Sequence, residues 1–325
     1  MRRLLSLAAA SLTTTALVLV SPLVADARPP VAPPSPGSHV LWHDVVLPPG
    51  VQPSVITTAA DGTVWFADGA SSRLLAYDPA TGSLAPYPLA SDAFVVSIVE
   101  AADGAIWYSD PTAETVSRLD PDTGVIDETL MPAGIRPLAL AASPDGSIWF
   151  GTSLADEVGH VAHGAPLELV TLAGSGGMPV DVTWGPDGRL WVAQYGVGAV
   201  DAYDPVSTRT TSYPISAFAT SEIEAGADGA LWLVDNNSLH RVGVDGSDET
   251  FIVPASSIAF PFSLTRGGDA VLYADTEGRI LSVASDGAFT PLGPGGAGHL
   301  PQAIALAPDG SLWYTDPLRG ALGWG

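Results

Sequence analysis

The chain has 325 residues and a formal net charge of −23, because 35 acidic residues face only 12 basic ones, all of them arginine. Binding to nucleic-acid phosphates needs a basic surface, so this composition excludes a nucleic-acid partner. Cysteine is absent, which excludes disulfide and thiol chemistry. After the N-terminus, no apolar run is long enough to cross a membrane as a helix.

The N-terminal residues have the features of a secretion signal. Arg2 and Arg3 form a short positive region, an apolar stretch follows, and Ala25-Asp26-Ala27 fits the small-x-small pattern of a cleavage site. We therefore predict a signal peptide over residues 1–27, a proline-rich spacer over 28–38 and a secreted mature protein. An uncleaved membrane anchor is the alternative, and only in that case do we expect contact with a membrane.

A repeat dominates the rest of the chain. Each copy contains Asp-Gly, one further residue, an apolar residue, tryptophan and another large apolar residue. A degenerate copy spans residues 268–273, and the anchors recur every 40 to 42 residues. The six clear copies begin at Asp61, Asp103, Asp145, Asp187, Asp228 and Asp309. This is the period of a four-stranded propeller blade, and Asp-Gly favours the tight hairpin between two of its strands.

The repeat predicts an all-β fold, a seven-bladed β-propeller over residues 39–325 with four strands in each blade. The seventh unit lacks an outer strand of its own, whereas residues 40–47 look like an outer strand without a blade. Placing that N-terminal strand in blade seven closes the ring and covers an exposed sheet edge. An open solenoid of seven units is the alternative. We expect the propeller to be a monomer.

Acidic residues follow the second strand of most repeats. Five repeats carry aspartate there, and blades three and four carry Thr152 and Gln194 instead. The five are Asp68, Asp110, Asp235, Asp275 and Asp316. A ring of carboxylates suits hard cations such as Mg²⁺ or Ca²⁺. The alternative is that each aspartate caps its own loop through backbone N–H groups.

Two innermost strands depart from the repeat. Asp181 and Glu222 stand where the other blades carry small or apolar residues, and Glu224 shares a strand face with Glu222. Innermost strands surround the propeller axis, so we predict that these three acids converge on the channel, with Asp235 nearby, as ligands for Mg²⁺ or Ca²⁺. A hydrated channel lining is the alternative. His299, in a glycine-rich loop, is the best-placed candidate for a catalytic general base.

The best copies of the repeat extend upstream as Pro-x-x-[Ile/Leu]-x-x-x-Pro-Asp-Gly-x-[Ile/Leu]-Trp-aromatic, at residues 137–150 and 301–314. In this pattern the chain resembles the streptogramin B lyase (virginiamycin B lyase) family of propellers. The resemblance implies Mg²⁺-dependent opening of a cyclic depsipeptide by elimination at its ester bond, with carboxylates as metal ligands and a histidine as base. No histidine lies on a predicted channel strand here, so we assign that histidine to no residue of this sequence.

The chain is also similar in shape to gluconolactonase-type propellers, in which acidic and amide ligands hold a divalent metal. The nearest candidates for such an amide here are Asn236 and Asn237, beside Asp235. We therefore expect a secreted, metal-dependent lyase that cleaves a cyclic ester, or as second choice a lactone hydrolase. Its small-molecule or extracellular ligand would bind at one end of the channel. The competing hypothesis is a non-catalytic extracellular binding propeller that uses the same face.

Overall fold

The computed structural model describes residues 23–24, 41–154, 156–172, 176–236, 238–254, 261–267, 270–293 and 298–325. The predicted cleavage site, the spacer and Asn237 lie outside these residues. Every regular element that the structure describes is a β-strand. Within the same ranges, no helix has the length and hydropathy needed to cross a membrane.

The strands form seven antiparallel sheets, which are the blades. Two strands precede the first repeat, β1 (Leu23–Val24) and β2 (His43–Val46). Blades one to three contain β3 (Pro53–Thr58), β4 (Val64–Asp68), β5 (Arg73–Asp78), β6 (Ser83–Pro88), β7 (Ser97–Glu100), β8 (Ile106–Asp110), β9 (Thr115–Leu119), β10 (Ile126–Leu130), β11 (Pro137–Ala142), β12 (Ile148–Thr152), β13 (Glu157–Val161) and β14 (Glu168–Thr171).

Blades four to seven follow the same order from the innermost strand outwards. They contain β15 (Met178–Trp184), β16 (Leu190–Tyr195), β17 (Ala199–Asp204), β18 (Arg209–Pro214), β19 (Thr220–Ala225), β20 (Leu231–Asp235), β21 (Ser238–Val242), β22 (Asp248–Ile252), β23 (Pro261–Arg266), β24 (Ala270–Asp275), β25 (Ile280–Ala284), β26 (Phe289–Gly293), β27 (Ile304–Leu306), β28 (Leu312–Asp316) and β29 (Ala321–Trp324). The seven-bladed propeller predicted from the repeat is confirmed.

Blade seven combines both ends of the described chain. Its outermost strand is β2, which pairs antiparallel with β29 so that His43 lies opposite Trp324. An ion pair joins the same two segments, with Nη2 of Arg319 lying 2.6 Å from Oδ2 of Asp44. In a different sheet, β1 pairs with β6 and adds a short fifth strand to the outer edge of blade one.

The hydrophobic core lies between neighbouring blades. Trp191, Trp232 and Trp313 of the repeats are fully buried there. In two blades an aromatic ring of the second strand lies over a glycine of the third, because Phe150 pairs with Gly159 and Tyr314 with Gly323. A side chain on either glycine would enter the ring opposite it, so the ring packing requires glycine at both positions.

The two ends of the propeller differ. One end, which we call the turn face, carries the Asp-Gly hairpins, where Gly62 adopts a φ of 89° and the Asp61 carboxylate accepts the N–H of Thr63. The other end, the loop face, carries the connections between blades and the loops after each second strand. Asp68 lies on the loop face, where its carboxylate accepts the N–H of Gln52 from the connection that enters blade one.

Candidate functional site

The ring of aspartates on the loop face is part of the fold. Oδ1 of Asp68 accepts N–H groups from Gln52 at 2.9 Å and Ala70 at 3.0 Å, so one carboxylate ties the incoming connection to its own loop. Oδ2 of the same residue accepts a hydrogen bond from Nε of Arg73 at 2.9 Å. Asp110, Asp275 and Asp316 are likewise buried and accept backbone N–H groups of their loops. These contacts support the loop-capping alternative for the ring.

Asp235 belongs to this ring and not to the channel. Its carboxylate accepts the N–H groups of Phe218 and Ala219, at 3.2 and 2.9 Å, and Nδ2 of Asn236 at 3.0 Å. Among the described residues, its hydrogen bonds do not involve the innermost-strand acids. The structure therefore places Asp235 apart from the other three predicted metal ligands.

The innermost strands surround a cavity of about 620 Å³ on the propeller axis. Asp181, Glu222 and Glu224 all line it, as the alternation of side chains along the strands predicts. Small and apolar side chains such as Ala139 and Ala141 of blade three line it as well. The cavity thus combines one acidic sector with a mixed lining of apolar side chains, serine, threonine and arginine.

A second cavity of about 240 Å³ continues the channel towards the loop face. Glu222, Ser97 and Ser263 hold equivalent positions on three innermost strands and line both cavities. These three residues therefore mark the boundary between the two cavities. Gln302 and Ser54, from the loop-face ends of blades seven and one, line the second cavity and not the first. A ligand that enters from the loop face would therefore meet Glu222 before it meets Glu224.

Asp181 and Glu222 accept hydrogen bonds from the next blade. Oδ2 of Asp181 accepts the N–H of Ile223 at 2.9 Å, and Oε2 of Glu222 accepts the N–H of Leu264 at 2.5 Å. Both donors lie one residue after the equivalent position of the neighbouring innermost strand. The edge of each innermost strand faces the channel with no further strand beside it, so these side chains satisfy N–H groups that the sheet leaves unpaired.

Serine has the same role in two other blades. Oγ of Ser97 accepts the N–H of Leu140 at 3.0 Å, and Oγ of Ser263 accepts the N–H of Ile304 at 3.2 Å. Blade three carries Ala139 at this position, so it offers no acceptor to the N–H of Val182 in blade four. Asp181, which precedes Val182, accepts that N–H at 2.8 Å instead. Joining one blade to the next is therefore a third interpretation of the channel acids, besides metal binding and solvation.

The three channel carboxyls have raised pKa values. Burial raises the pKa of Asp181 to about 7, although the N–H groups of Ile223 and Val182 act in the opposite direction. Burial, and then the charge of Asp181, raises the pKa of Glu224 to about 8, which Arg266 opposes. Burial and the neighbouring acids raise the pKa of Glu222 well above its ordinary value. Carboxyls perturbed in this way inside a cavity are typical of acid–base sites.

The donor atoms do not match the needs of a divalent cation. Across the described residues, no group of three or more His, Asp or Glu side chains has the spacing of a metal site. Both oxygens of Asp181 and one oxygen of Glu222 are engaged by backbone N–H groups. Mg²⁺ demands near-octahedral oxygen coordination, and each of these N–H groups takes up one acceptor position that a cation would otherwise use.

His299 lies on the loop face outside the two channel cavities. Its Nδ1 lies 3.2 Å from Nη1 of Arg319 and 3.6 Å from Oδ2 of Asp316. It is therefore held among the residues that connect the two ends of blade seven.

Sequence reasoning missed two residues of the main cavity. Arg266 and Trp184 both line it, and each is the last residue of an innermost strand. The signal was a departure from the repeat, because the equivalent residues in blades one, three and five are Thr58, Ala142 and Ala225. Arg266 was hard to find because it precedes the degenerate copy of the repeat.

Comparison with known proteins agrees with this architecture. The model of the virginiamycin B lyase family matches residues 36–219. A solved streptogramin B lyase is 22% identical over 87% of this chain and 96% of its own, with a TM-score of 0.79. Virginiamycin B lyase from Staphylococcus aureus is also 22% identical, over 87% of this chain and 98% of its own, with a TM-score of 0.79.

A more distant propeller is similar as well. The extracellular domain of a hybrid two-component system from B. thetaiotaomicron is 14% identical over 89% of this chain and 43% of its own, with a TM-score of 0.72. No curated protein matches the sequence. At these identities the solved structures support the fold, and they do not transfer an activity.

Proposed function

Because the chain belongs to the virginiamycin B lyase family, we propose that it is a secreted lyase that opens an ester-containing ring inside its channel. The observation that carries the proposal is the acidic sector of the 620 Å³ cavity, where three carboxyls with raised pKa values lie together. Elimination needs a base that removes a proton from the carbon beside a carbonyl, after which the ester carboxylate leaves from the next carbon. A carboxylate with a raised pKa is a stronger base than an ordinary one.

Glu224 is the base in this proposal. Asp181 and Glu222 are occupied by N–H groups of neighbouring blades, whereas the backbone hydrogen bond that acts on the pKa of Glu224 comes from Ala225, the next residue of its own strand. Its pKa of about 8 implies that the active, ionised form accumulates as the pH rises through 8. Arg266 lies in the same cavity and favours that ionised form.

The mass of the product distinguishes elimination from hydrolysis. We would incubate the mature protein with quinupristin, the ligand of a solved inactive virginiamycin B lyase variant, and with simple lactones, and follow each by mass spectrometry. Elimination opens the ring without a change in mass, whereas the second choice, lactone hydrolysis, adds one water. Glu224→Gln should reduce turnover by about 10² or more, the range of general base catalysis.

Glu100→Gln is the matched control. Glu100 also lies on an innermost strand, has a pKa raised first by burial, and accepts a backbone N–H from Ala60, but it does not line the channel cavity. If the Glu224→Gln variant turns over substrate as fast as the Glu100→Gln variant, Glu224 is not the base.

The metal prediction needs its own test, because the donors described above argue against a closed site. Calorimetric titration with Mg²⁺ and Ca²⁺, repeated on Glu222→Gln and Glu224→Gln, addresses it. Saturable binding that these substitutions weaken would support a cation in the channel. Heats equal to those of dilution would remove the metal-dependent form of the proposal.

A non-catalytic binding propeller is the second candidate. It is favoured by the use of Asp181 and Glu222 to join blades, and by the position of His299 outside the cavities. In that case the acidic sector selects a cationic small molecule or extracellular ligand, and the propeller acts as a monomer. Saturable binding of the cyclic ester without turnover, at pH values on both sides of 8, would favour this candidate.

A further inference from the structure

Blade five contains a polar cluster that the channel chemistry does not use. His240, on β21, is 1% exposed. Its Nδ1 lies 3.0 Å from Oδ1 of Asp248, and its Nε2 lies 3.4 Å from Oγ of Ser238. Serine, imidazole and carboxylate thus follow one another in the order required for an activated serine nucleophile.

The carboxylate of Asp248 is held as an anion. Oδ2 accepts both the N–H and the Oγ–H of Ser216 at 2.7 Å. Burial raises the pKa of Asp248, but the hydrogen bonds from Ser216 and His240 outweigh it, and the pKa lies below its ordinary value. An anionic Asp248 accepts a proton-bearing Nδ1, which leaves the lone pair of Nε2 directed towards Ser238.

Ser238 lies at the loop-face end of this cluster, just after the turn that contains Asn236. Its hydroxyl donates at rest to the carbonyl of Asp235 at 3.0 Å, so it must rotate towards His240 to be activated. Ile252 lies opposite Ser238 in the pairing of β21 with β22 and is 66% exposed. Phe218, whose backbone N–H donates to Asp235, is 64% exposed, so it adds a second exposed apolar side chain to the loop face of this blade.

We propose that Ser238, His240 and Asp248 form a second, serine-type esterase site for small esters with an apolar acyl group. Oγ of Ser238 forms a bond to the carbonyl carbon while its proton passes to Nε2 of His240. The bond to the alcohol oxygen breaks, and that oxygen takes the proton from His240. Water then hydrolyses the acyl-serine to the free acid and regenerates Ser238. Asp248 acts as a positioning residue, because its carboxylate holds His240 and does not contact the substrate.

The test uses a fluorophosphonate and p-nitrophenyl butyrate on the mature protein. We expect one phosphonyl adduct, located on Ser238 by peptide mapping, and no adduct in Ser238→Ala. Ser207→Ala is the control, because the hydroxyl of Ser207 donates to a carboxylate, Oδ2 of Asp204 at 2.6 Å, and not to an imidazole. Glu224→Gln should label at the wild-type rate, which separates this site from the channel.

Asp248→Asn tests the positioning role. It should slow labelling at least tenfold and change the pH dependence of the rate, since the imidazole loses the group that fixes its tautomer. Thermal melting confirms that each variant is folded. A folded wild-type protein that gives no adduct on Ser238 would overturn the proposal, and so would labelling equal in the wild type and Asp248→Asn.

Discussion

The channel acids should make the folded protein less stable as the pH rises, and Glu224→Gln should remove part of that loss. The pKa of Glu224 is raised from 4.5 to about 8, chiefly by burial. Below pH 4.5 the carboxyl is protonated in both the folded and the unfolded chain, and it contributes no difference. Between 4.5 and 8 the unfolded chain releases the proton while the folded chain keeps it, so the free energy of unfolding falls.

The magnitude follows from the distance between the two pKa values. A change from 4.5 to about 8 corresponds to about 5 kcal/mol of stability lost above pH 8. The neighbouring charge of Asp181 contributes to this figure, so one substitution recovers only a part, which we place at about 2–4 kcal/mol. At about 2–4 °C per kcal/mol, Glu224→Gln should melt at least about 4 °C higher than the wild type at pH 8.5.

Thermal melts monitored by circular dichroism at pH 4 and pH 8.5 measure this effect. The wild type and Glu224→Gln should melt within about 2 °C of each other at pH 4, where both side chains are neutral. Glu100→Gln, at a residue outside the cavity, should differ less from the wild type in melting temperature at pH 8.5. Stability profiles of the wild type and Glu224→Gln that run parallel over the whole pH range would refute the reasoning.

Three further changes test the packing. Asp181→Ala leaves two backbone N–H groups facing the channel without their acceptor and should cost about 1–3 kcal/mol in denaturant titration. Gly159→Ala drives a methyl group into the ring of Phe150 and should cost about 1–3 kcal/mol, or prevent folding, as soluble expression and melting temperature would show. Arg279→Ala leaves the fully buried carboxylate of Asp275 without its ion pair and should cost about 3–5 kcal/mol, measured by urea unfolding at pH 7.

The fold could be predicted because its units repeat. The same local pattern occurs six times, so a hairpin signal such as Asp145-Gly146 is supported by five equivalent signals elsewhere in the chain. The degenerate copy still contributes β24 to blade six, since the repeats on both sides fix its place. The grouping of Asp181, Glu222 and Glu224 in one cavity also followed from strand alternation and blade order.

Their hydrogen-bond partners could not be predicted in the same way. Whether Glu222 faces a metal, water or the N–H of Leu264 depends on the offset between two neighbouring blades, and the sequence pattern carries no information on that offset. The network of His240 and Asp248 was missed for a related reason. It joins β21 and β22 to Ser216 in the connection from blade four, and these residues have no equivalent in the repeat.

The composition of blade seven has a consequence for the time course of folding. A ribosome makes β2 before β3 to β28 and makes β29 last, whereas the four repeat strands of each of the first six blades are encoded in one continuous stretch. Those six sheets can assemble one after another during synthesis, but the seventh must wait until Trp324 has been released. Until then, the faces of blades one and six that pack against blade seven remain exposed to solvent. The last event of folding is therefore an encounter between residues far apart in the chain, which makes it the slow step and the stage most exposed to aggregation.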